Sequence, residues 1–324
     1  MALRTLFADP MLRMLALAVL LAALLPVGEQ GRAFAQWLAN AAVFVLFLLN
    51  GMRISRQEIA AGLVNWRFLL PLMLWVFAGM ALGGFALSRV ADTLLPSAIV
   101  IGLLYLGALP STVQSAISYS SLAGGNIALS ILGAALLNIA GVFVTVPVFL
   151  ALGGTGDGAV GWETIQRIAL ILLLPFLIGQ AIQSHTRRFI ERYKPRIAWI
   201  DRFVIALTVY VAFSGAVTQG IWGRVGPVEW MWLGVLVALF LAFAHGGAWL
   251  FGGLLSLDRR DRIAFLFAGA QKSAAVGVPL ATILFAPEIA GFVVVPLLLY
   301  HLFQLVIAAP LASRLAASHP AGGD

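Results

Sequence analysis

Two hydrophobic stretches of the chain carry a proline and a group of polar residues near their middle. The first, residues 107–118, reads GALPSTVQSAIS, and the second, residues 269–279, reads GAQKSAAVGVP. Proline removes an amide donor and clashes with the preceding helical turn, so each stretch predicts a broken helix. A helix that restarts after a break presents free amide groups there, and this positive end favours an anionic or polar ligand.

The first stretch also predicts a polar face. If the helix restarts at Pro110 or just after it, the free amides of Thr112 and Val113 lie at the break. Side chains at spacings of three and four then share one face, and these are Ser111, Gln114, Ser115 and Ser118. The alternative is a simple proline kink whose hydroxyls bond to their own backbone. The repetition of the feature in a second stretch favours a binding site.

Lys272 is the one cation predicted to lie deep in a membrane span, and none of the thirteen acidic residues is predicted there. A lysine at that depth costs at least about 2.5 to 3.5 kcal/mol to insert, so it needs compensation. If its half-helix ends near Ala275, the free carbonyls of the last turn supply it. Three roles follow: binding an anionic substrate, replacing a coupling cation, or titrating during transport. The alternative is snorkelling to the interface.

Other polar residues are also predicted at depth. His245 and His301 are candidate proton carriers because histidine titrates near neutral pH, although such residues also serve as contacts between helices. Asn138 is expected to meet the first break. Together with Gln271 and Ser273 of the second break, it belongs to the predicted substrate and ion site.

The composition places these residues in a membrane. Of the 324 residues, 62% are hydrophobic and 10% are charged, which excludes a soluble enzyme or a disordered chain. The absence of cysteine excludes disulfides, thiolate metal sites and cysteine nucleophiles. Since about 20 apolar residues cross a bilayer, the runs between charges predict ten spans. They are residues 10–27, 33–52, 68–87, 94–122, 127–152, 165–182, 203–221, 230–255, 263–285 and 289–315.

The charges between the spans predict their orientation. With a cytoplasmic N-terminus, fifteen Lys and Arg residues lie inside and four lie outside, and Lys272 is the last of the twenty. This bias predicts both termini in the cytoplasm, in an inner (plasma) membrane. The net charge of +7 is then explained by the cations of the cytoplasmic loops. We therefore expect the lipid bilayer and a small substrate as partners, and no nucleic acid. A cleavable signal peptide at the first span is the alternative, and its removal would leave nine helices.

The Gly-rich residues 153–161 divide the ten spans five and five. An odd number of spans in each half inverts the second half, so the predicted fold is all-α, with two inverted five-helix repeats over residues 1–155 and 156–324. Gln114 and Gln271 are 157 residues apart, close to half the chain. The broken spans four and nine are therefore predicted to be equivalent.

At these two broken helices the chain resembles the bile acid:sodium symporter superfamily, solute carrier family ten, in the branch related to its seventh member. The resemblance rests on residues 110–114 with 124–126, on residues 138–147, and on residues 269–279. It implies a core domain of spans three to five and eight to ten, which crosses helices four and nine, and a panel domain of spans one, two, six and seven. In such proteins the crossing binds sodium, and an organic anion lies between core and panel. The resemblance thus implies secondary transport of organic anions by alternating access.

The ligands that the resemblance implies for sodium are only partly present. Ser115 and Gln271 match two of them, but Ala116 replaces an asparagine, and residues 74–76 lack a third-span glutamine. Sodium is the only cofactor-like ion that the resemblance suggests, and its site is reduced.

Two further departures change the charge of that site. Phe267 stands where the family has a carboxylate, and Lys272 stands where an asparagine is common. Because hard cations prefer oxygen ligands and negative charge, we hypothesise that Lys272 replaces at least one sodium ion. A sodium-coupled symporter with a reduced site and a non-transporting membrane regulator are the alternatives. An intramembrane hydrolase using Ser118 and His245 has no supporting motif.

Overall fold

The computed structural model describes residues 10–53, 64–154, 166–218 and 225–318, together with residues 55, 57, 220 and 223. Within these residues the chain is helical and contains no strand, which confirms the predicted all-helical class. The helices are α1 Pro10–Leu24, α2 Glu29–Arg53, α3 Trp66–Ala91, α4 Ser97–Ala108, α5 Val113–Leu122, α6 Ile127–Ala151, α7 Gln166–Thr218, α8 Pro227–Leu254, α9 Arg259–Ala270, α10 Ala274–Leu284 and α11 Pro287–Ala317.

Among the described residues, seven segments are long and apolar enough to cross a membrane, namely α2, α3, α6, α7, α8, α11 and the run formed by α9 with α10. The helices α4 and α5 make an eighth span when taken together, and they are bent by 60° at the break between them. Helix α1 has 15 residues, which is shorter than the roughly 20 that a span needs. The predicted span limits Ile165 and Ile221 and the cations Arg4, Arg56 and Arg224 lie outside the described residues.

Residues 166–218, labelled α7, are assigned as helical throughout and cover most of two predicted spans, residues 165–182 and 203–221. A straight helix would separate Gly179 from Asp201 by about 33 Å. However, Gly179 packs against the backbone of Gly51, and Asp201 forms an ion pair of 2.7 Å with Arg53, two residues further along α2. Both parts of α7 therefore lie at the same end of α2. The chain must reverse its direction between them, in the stretch that contains Pro195.

The centre of the molecule is formed by the run of α9 and α10. In its most apolar 18-residue stretch 94% is buried, compared with 28% in the corresponding stretch of α2. Helix α4 also lies in the interior, because its residues from Gly102 to Ala108 are all buried. The two places where these spans break are therefore enclosed by protein. A broken helix needs this, since its unpaired backbone groups have no partners in lipid.

We predict that Gly179→Ala destabilises the protein by about 1–3 kcal/mol through overpacking. A Cβ atom on Gly179 would lie 2.3 Å from the Leu48 carbonyl oxygen, so α2 and α7 would have to separate. The measurement is the melting temperature of the detergent-purified protein. Gly246→Ala is the matched control, because a Cβ atom there meets nothing within 4 Å. Equal melting temperatures for the two variants would contradict the close approach of α2 and α7.

Candidate functional site

The two breaks lie directly against each other. The first separates α4 from α5 over residues 109–112, and the second separates α9 from α10 over residues 271–273. The backbone is extended at both, with ψ of 150° at Leu109 and 147° at Gln271. The amide of Ser273 donates a hydrogen bond of 2.9 Å to the carbonyl of Pro110, so the two extended segments are joined through their backbones.

Lys272 lies within this junction and is fully buried, with 0% of its surface exposed. Its Nζ donates hydrogen bonds to the carbonyl oxygens of Gly107, at 2.8 Å, and Leu109, at 2.6 Å. These carbonyls belong to the C-terminal end of α4, where the helix dipole is negative and favours a cation. No carboxylate is buried among the described residues, so carbonyl oxygens alone compensate the ammonium group.

This position corrects the expectation that Lys272 lies in the last turn of its own half-helix. The half-helix α9 ends at Ala270, two residues before Lys272, and not near Ala275 as expected. The next half-helix, α10, begins at Ala274. The lysine is therefore part of the extended break. Its side chain reaches across to α4 and binds the carbonyl end of the other broken helix.

The backbone of Lys272 is held by a residue that the sequence reasoning missed. The amide of Lys272 donates to Gln304 Oε1 at 2.8 Å, and Gln304 Nε2 donates to the Lys272 carbonyl at 3.1 Å. The same Nε2 lies 2.9 Å from His301 Nδ1. The signal available in the sequence was a glutamine three residues after a histidine in the middle of the last apolar span.

Ser115 and Gln271 are brought together by the crossing. Ser115 Oγ donates to Gln271 Oε1 at 3.0 Å, and the hydroxyl of Thr112 contacts that of Ser115. Gln271 is fully buried, and its Nε2 has no hydrogen-bond partner among the described residues. The side-chain amide of Gln271 therefore has an unused polar group at the centre of the candidate site.

The predicted polar face of the fourth span is wrong. Helix α5 begins at Val113, so Ser111 lies in the break, where it is buried and its hydroxyl has no partner among the described residues. Gln114 and Ser118 lie one turn apart on the exposed side of α5, whereas Ser115 turns inward. The expected stripe failed because the helix starts three residues after Pro110.

Several side chains bond to backbone groups at the breaks and in the half-helices beside them. Asn138 Nδ2 donates to the Ser111 carbonyl at 2.8 Å, in agreement with the expectation that it meets the first break. Tyr300 donates to the Ala270 carbonyl at 2.6 Å, and Tyr105 donates to the Gly277 carbonyl at 2.7 Å. The hydroxyl of Ser273 accepts from the Val276 amide and so caps α10. Both tyrosines were absent from the predicted site, since an apolar span offers no local sign of such a contact.

Aromatic side chains fill the places where the resemblance implies further sodium ligands. The Trp75 indole packs so closely that a Cβ atom on Gly269 or Gly247 would lie within 3 Å of it. Phe267 is fully buried, with its ring 5.9 Å from that of Tyr119. Neither side chain offers an oxygen to a hard cation.

The two candidate proton carriers are in different settings. His301 contacts Gln304 and through it the backbone of Lys272. His245 Nδ1 instead lies 3.0 Å from the Leu241 carbonyl of its own helix α8. Only His301 is joined by the described hydrogen bonds to the junction of the two breaks.

A family profile and several known proteins match most of the chain. The profile of the SBF-like CPA transporter family matches residues 9–317. The chain is 38% identical to "Uncharacterized protein PA2026" of Pseudomonas aeruginosa, over 92% of this chain and 90% of that protein. It is 36% identical to "Putative symporter YfeH" of Escherichia coli K12, over 94% and 92%. It is 23% identical to "Sodium/bile acid cotransporter 7" of the mouse, over 85% and 82%.

We predict that Tyr300→Phe destabilises the protein by about 1–3 kcal/mol, because it leaves the buried Ala270 carbonyl unpaired at the end of α9. The measurement is again the melting temperature in detergent. Tyr210→Phe is the control: its hydroxyl donates to the Leu25 carbonyl at an exposed position, where water replaces the lost donor. If Tyr210→Phe lowered the melting temperature as much as Tyr300→Phe, the bond from Tyr300 to the Ala270 carbonyl would not be the cause of the destabilisation.

Proposed function

The chain belongs to the SBF-like CPA transporter family and is therefore a multi-pass membrane transporter rather than an enzyme, and we propose that it carries small organic anions by alternating access. The observation that carries this proposal is the buried Lys272 ammonium on the carbonyl end of α4. Two broken helices that meet inside the protein, with one charged group between them, are typical of the sites of secondary transporters.

The proposed architecture has ten spans in two inverted repeats, residues 1–155 and 156–324. The eight apolar segments, the short α1 and the reversal within α7 together support this number. Helices α3–α6 and α8–α11 would form the core domain, and α1, α2 and α7 would form the panel. The cation bias places both termini in the cytoplasm, and the inner membrane of a bacterium fits the relatives from Pseudomonas and Escherichia.

We propose that Lys272 takes the place of a coupling cation. Its Nζ lies 2.6–2.8 Å from two carbonyl oxygens, which are the type of ligand that a hard cation binds at a helix end. Phe267 and Trp75 supply no oxygen in the neighbouring positions. A fixed ammonium then provides the positive charge, so sodium is not needed to hold the broken helices together.

We place the contact surface for the substrate anion on α5. Gln114 and Ser118 lie on its exposed side, next to the positive N-terminal end of the helix. Lys272 is already engaged with two carbonyls and is closed off from solvent. In this proposal the lysine organises the crossing, and the side chains of α5 meet the substrate.

A sodium-coupled symporter with a reduced site is the second candidate. It is favoured by the oxygen atoms of Thr112, Ser115 and Gln271, which form one contiguous group at the crossing. The name of the mouse relative refers to sodium. A non-transporting regulator has no comparable observation in its favour, and the names of the Escherichia and mouse relatives refer to transport.

We predict that Lys272→Asn makes the protein sodium-responsive. Removal of the ammonium frees the Gly107 and Leu109 carbonyls for a cation, and a ligand at 100 times its dissociation constant stabilises a protein by about 2.7 kcal/mol. The measurement is the melting temperature in NaCl, KCl and choline chloride at equal ionic strength. Wild type should show no selective effect of sodium, and Lys272→Asn should show one.

The control for this experiment is Lys194→Asn. Lys194 is the other lysine of the chain and is exposed, so its removal changes the net charge equally without touching the crossing. Selective stabilisation of the wild-type protein by sodium would refute the replacement and support the sodium-coupled alternative.

We further predict that the sodium response of Lys272→Asn requires Ser115 and Gln271. In that background, Gln271→Ala or Ser115→Ala removes an oxygen from the crossing and should abolish most of the gained stabilisation. The exposed Arg188→Ala in the same background should leave it intact. A similar loss in all three double variants would show that the effect is general destabilisation.

A further inference from the structure

The hydrogen bonds of Gln304 have only one consistent arrangement. A backbone N–H of Lys272 is always a donor, and its carbonyl is always an acceptor. Gln304 must therefore present Oε1 to the first and Nε2 to the second, as the distances of 2.8 and 3.1 Å show. The usual ambiguity between the two ends of a glutamine amide does not arise here, because the backbone of Lys272 resolves it.

This arrangement determines the state of His301. One hydrogen of Gln304 Nε2 is used by the Lys272 carbonyl, and the other is directed at His301 Nδ1, 2.9 Å away. Nδ1 must then accept and carry a lone pair. His301 is therefore a neutral imidazole whose ring proton is on Nε2.

A proton on Nδ1 is incompatible with this network. It would oppose two N–H groups across the contact between His301 and Gln304. Rotating the glutamine amide by 180° would repair that contact, but it would place N–H against N–H and oxygen against oxygen at Lys272. His301 therefore cannot be protonated while both backbone groups of Lys272 remain hydrogen-bonded to Gln304. Since Gln304 is fully buried, no water replaces the lost partners within the described packing.

His301 is linked through the side chain of Gln304 to the backbone of a charged residue, Lys272. His301 lies 13 residues from both Glu288 and Arg314, or about 20 Å along α11. The helices α4, α5, α7, α8 and α10 pack against α11. Four titratable side chains of these helices bond to carbonyls: Tyr105 to Gly277, Tyr119 to Leu305, His245 to Leu241 and Tyr210 to Leu25. Helix α10 carries no titratable side chain. The other ionisable residues of α7 and α8 are Arg167, His185, Arg187, Arg188, Glu191, Arg192, Tyr193, Lys194, Arg196, Asp201, Arg202 and Glu229. On α11 itself Tyr300 bonds to Ala270, and at its cytoplasmic end Arg259 of α9 bonds to Leu315 and Ser318.

We propose that His301 is a proton-binding site of the transport cycle, and that Gln304 couples it to the junction of the broken helices. Protonation of His301 releases the Lys272 peptide from Gln304. The Lys272 backbone then loses both of its bonds to Gln304 and becomes free to rearrange, while the bonds from Ser273 to Pro110, from Ser115 to Gln271 and from the Lys272 ammonium remain. The inference rests on the proposed function and adds its co-substrate: a proton takes the coupling role, with Lys272 as the fixed cation.

The first test is the tautomer of His301 in the wild-type protein. Nitrogen NMR of ¹⁵N-histidine-labelled protein in lipid nanodiscs separates the four histidines of the chain, with His301→Asn used to assign the signal. At about pH 8 the Nε2–H tautomer is expected, and at about pH 5 the cationic form is expected. A proton on Nδ1 at about pH 8, or no protonation across this range, would overturn the proposal.

The second test measures the rate of hydrogen exchange at the backbone amide of Lys272. The rate is corrected for the intrinsic dependence of amide exchange on pH. Between about pH 8 and pH 5 the protection of this amide should fall by about tenfold or more in wild type, because the amide loses its partner. His301→Asn should abolish this fall, since asparagine Oδ1 can accept from Gln304 but cannot take up the proton. The exposed His185→Asn is the control and should retain it.

The outcomes also separate this inference from the proposed function. If the fall persists in His301→Asn but disappears in His245→Asn, the proton site is on α8 and the inference is wrong. If the protection of the Lys272 amide does not depend on pH while Lys272→Asn gains a sodium response, the proposal that Lys272 replaces a cation is supported. The proposal that His301 is the proton site is then wrong. If neither response is seen, both proposals fail.

Discussion

The structure depends on the compensation of one buried positive charge. Lys272 has 0% of its surface exposed, and its ammonium group is bound by the last free carbonyls of α4. Without that helix end the lysine would be an uncompensated charge in an apolar interior, and without the lysine those carbonyls would lack a partner. The broken helices and the charge therefore require each other, and the surrounding helices bury both.

Around this pair the protein completes its backbone hydrogen bonds with side chains from different helices. Asn138 serves the first break, Gln304 serves the second, and Tyr300 and Tyr105 satisfy carbonyls of α9 and α10. A break made in this way is ordered yet not part of a helix. It is the kind of element that can exist in two arrangements, because most of the hydrogen bonds described for it come from side chains rather than from a continuous helical ladder.

Local patterns were sufficient for part of this description. Pro110 and the polar residues around Gln271 indicated that two spans break, because proline chemistry and hydropathy are properties of a short segment. The position of Asn138 beside the first break also followed from its depth in the next span. The helical register near the breaks did not follow. Ser111 was expected on a shared face but lies before the start of α5, since the sequence does not state where a broken helix resumes.

The sequence by itself determined that the chain is an all-helical membrane protein with a lysine deep in a broken span, because burial of apolar residues and the cost of a membrane charge are set by composition and spacing. Only the tertiary structure decided which groups compensate that lysine. Gly107 lies 165 residues away from it and Gln304 lies 32 residues away. Hydrogen bonds of this kind join side chains and carbonyls of different helices, so they depend on how the helices pack and leave no periodic signal in any one segment.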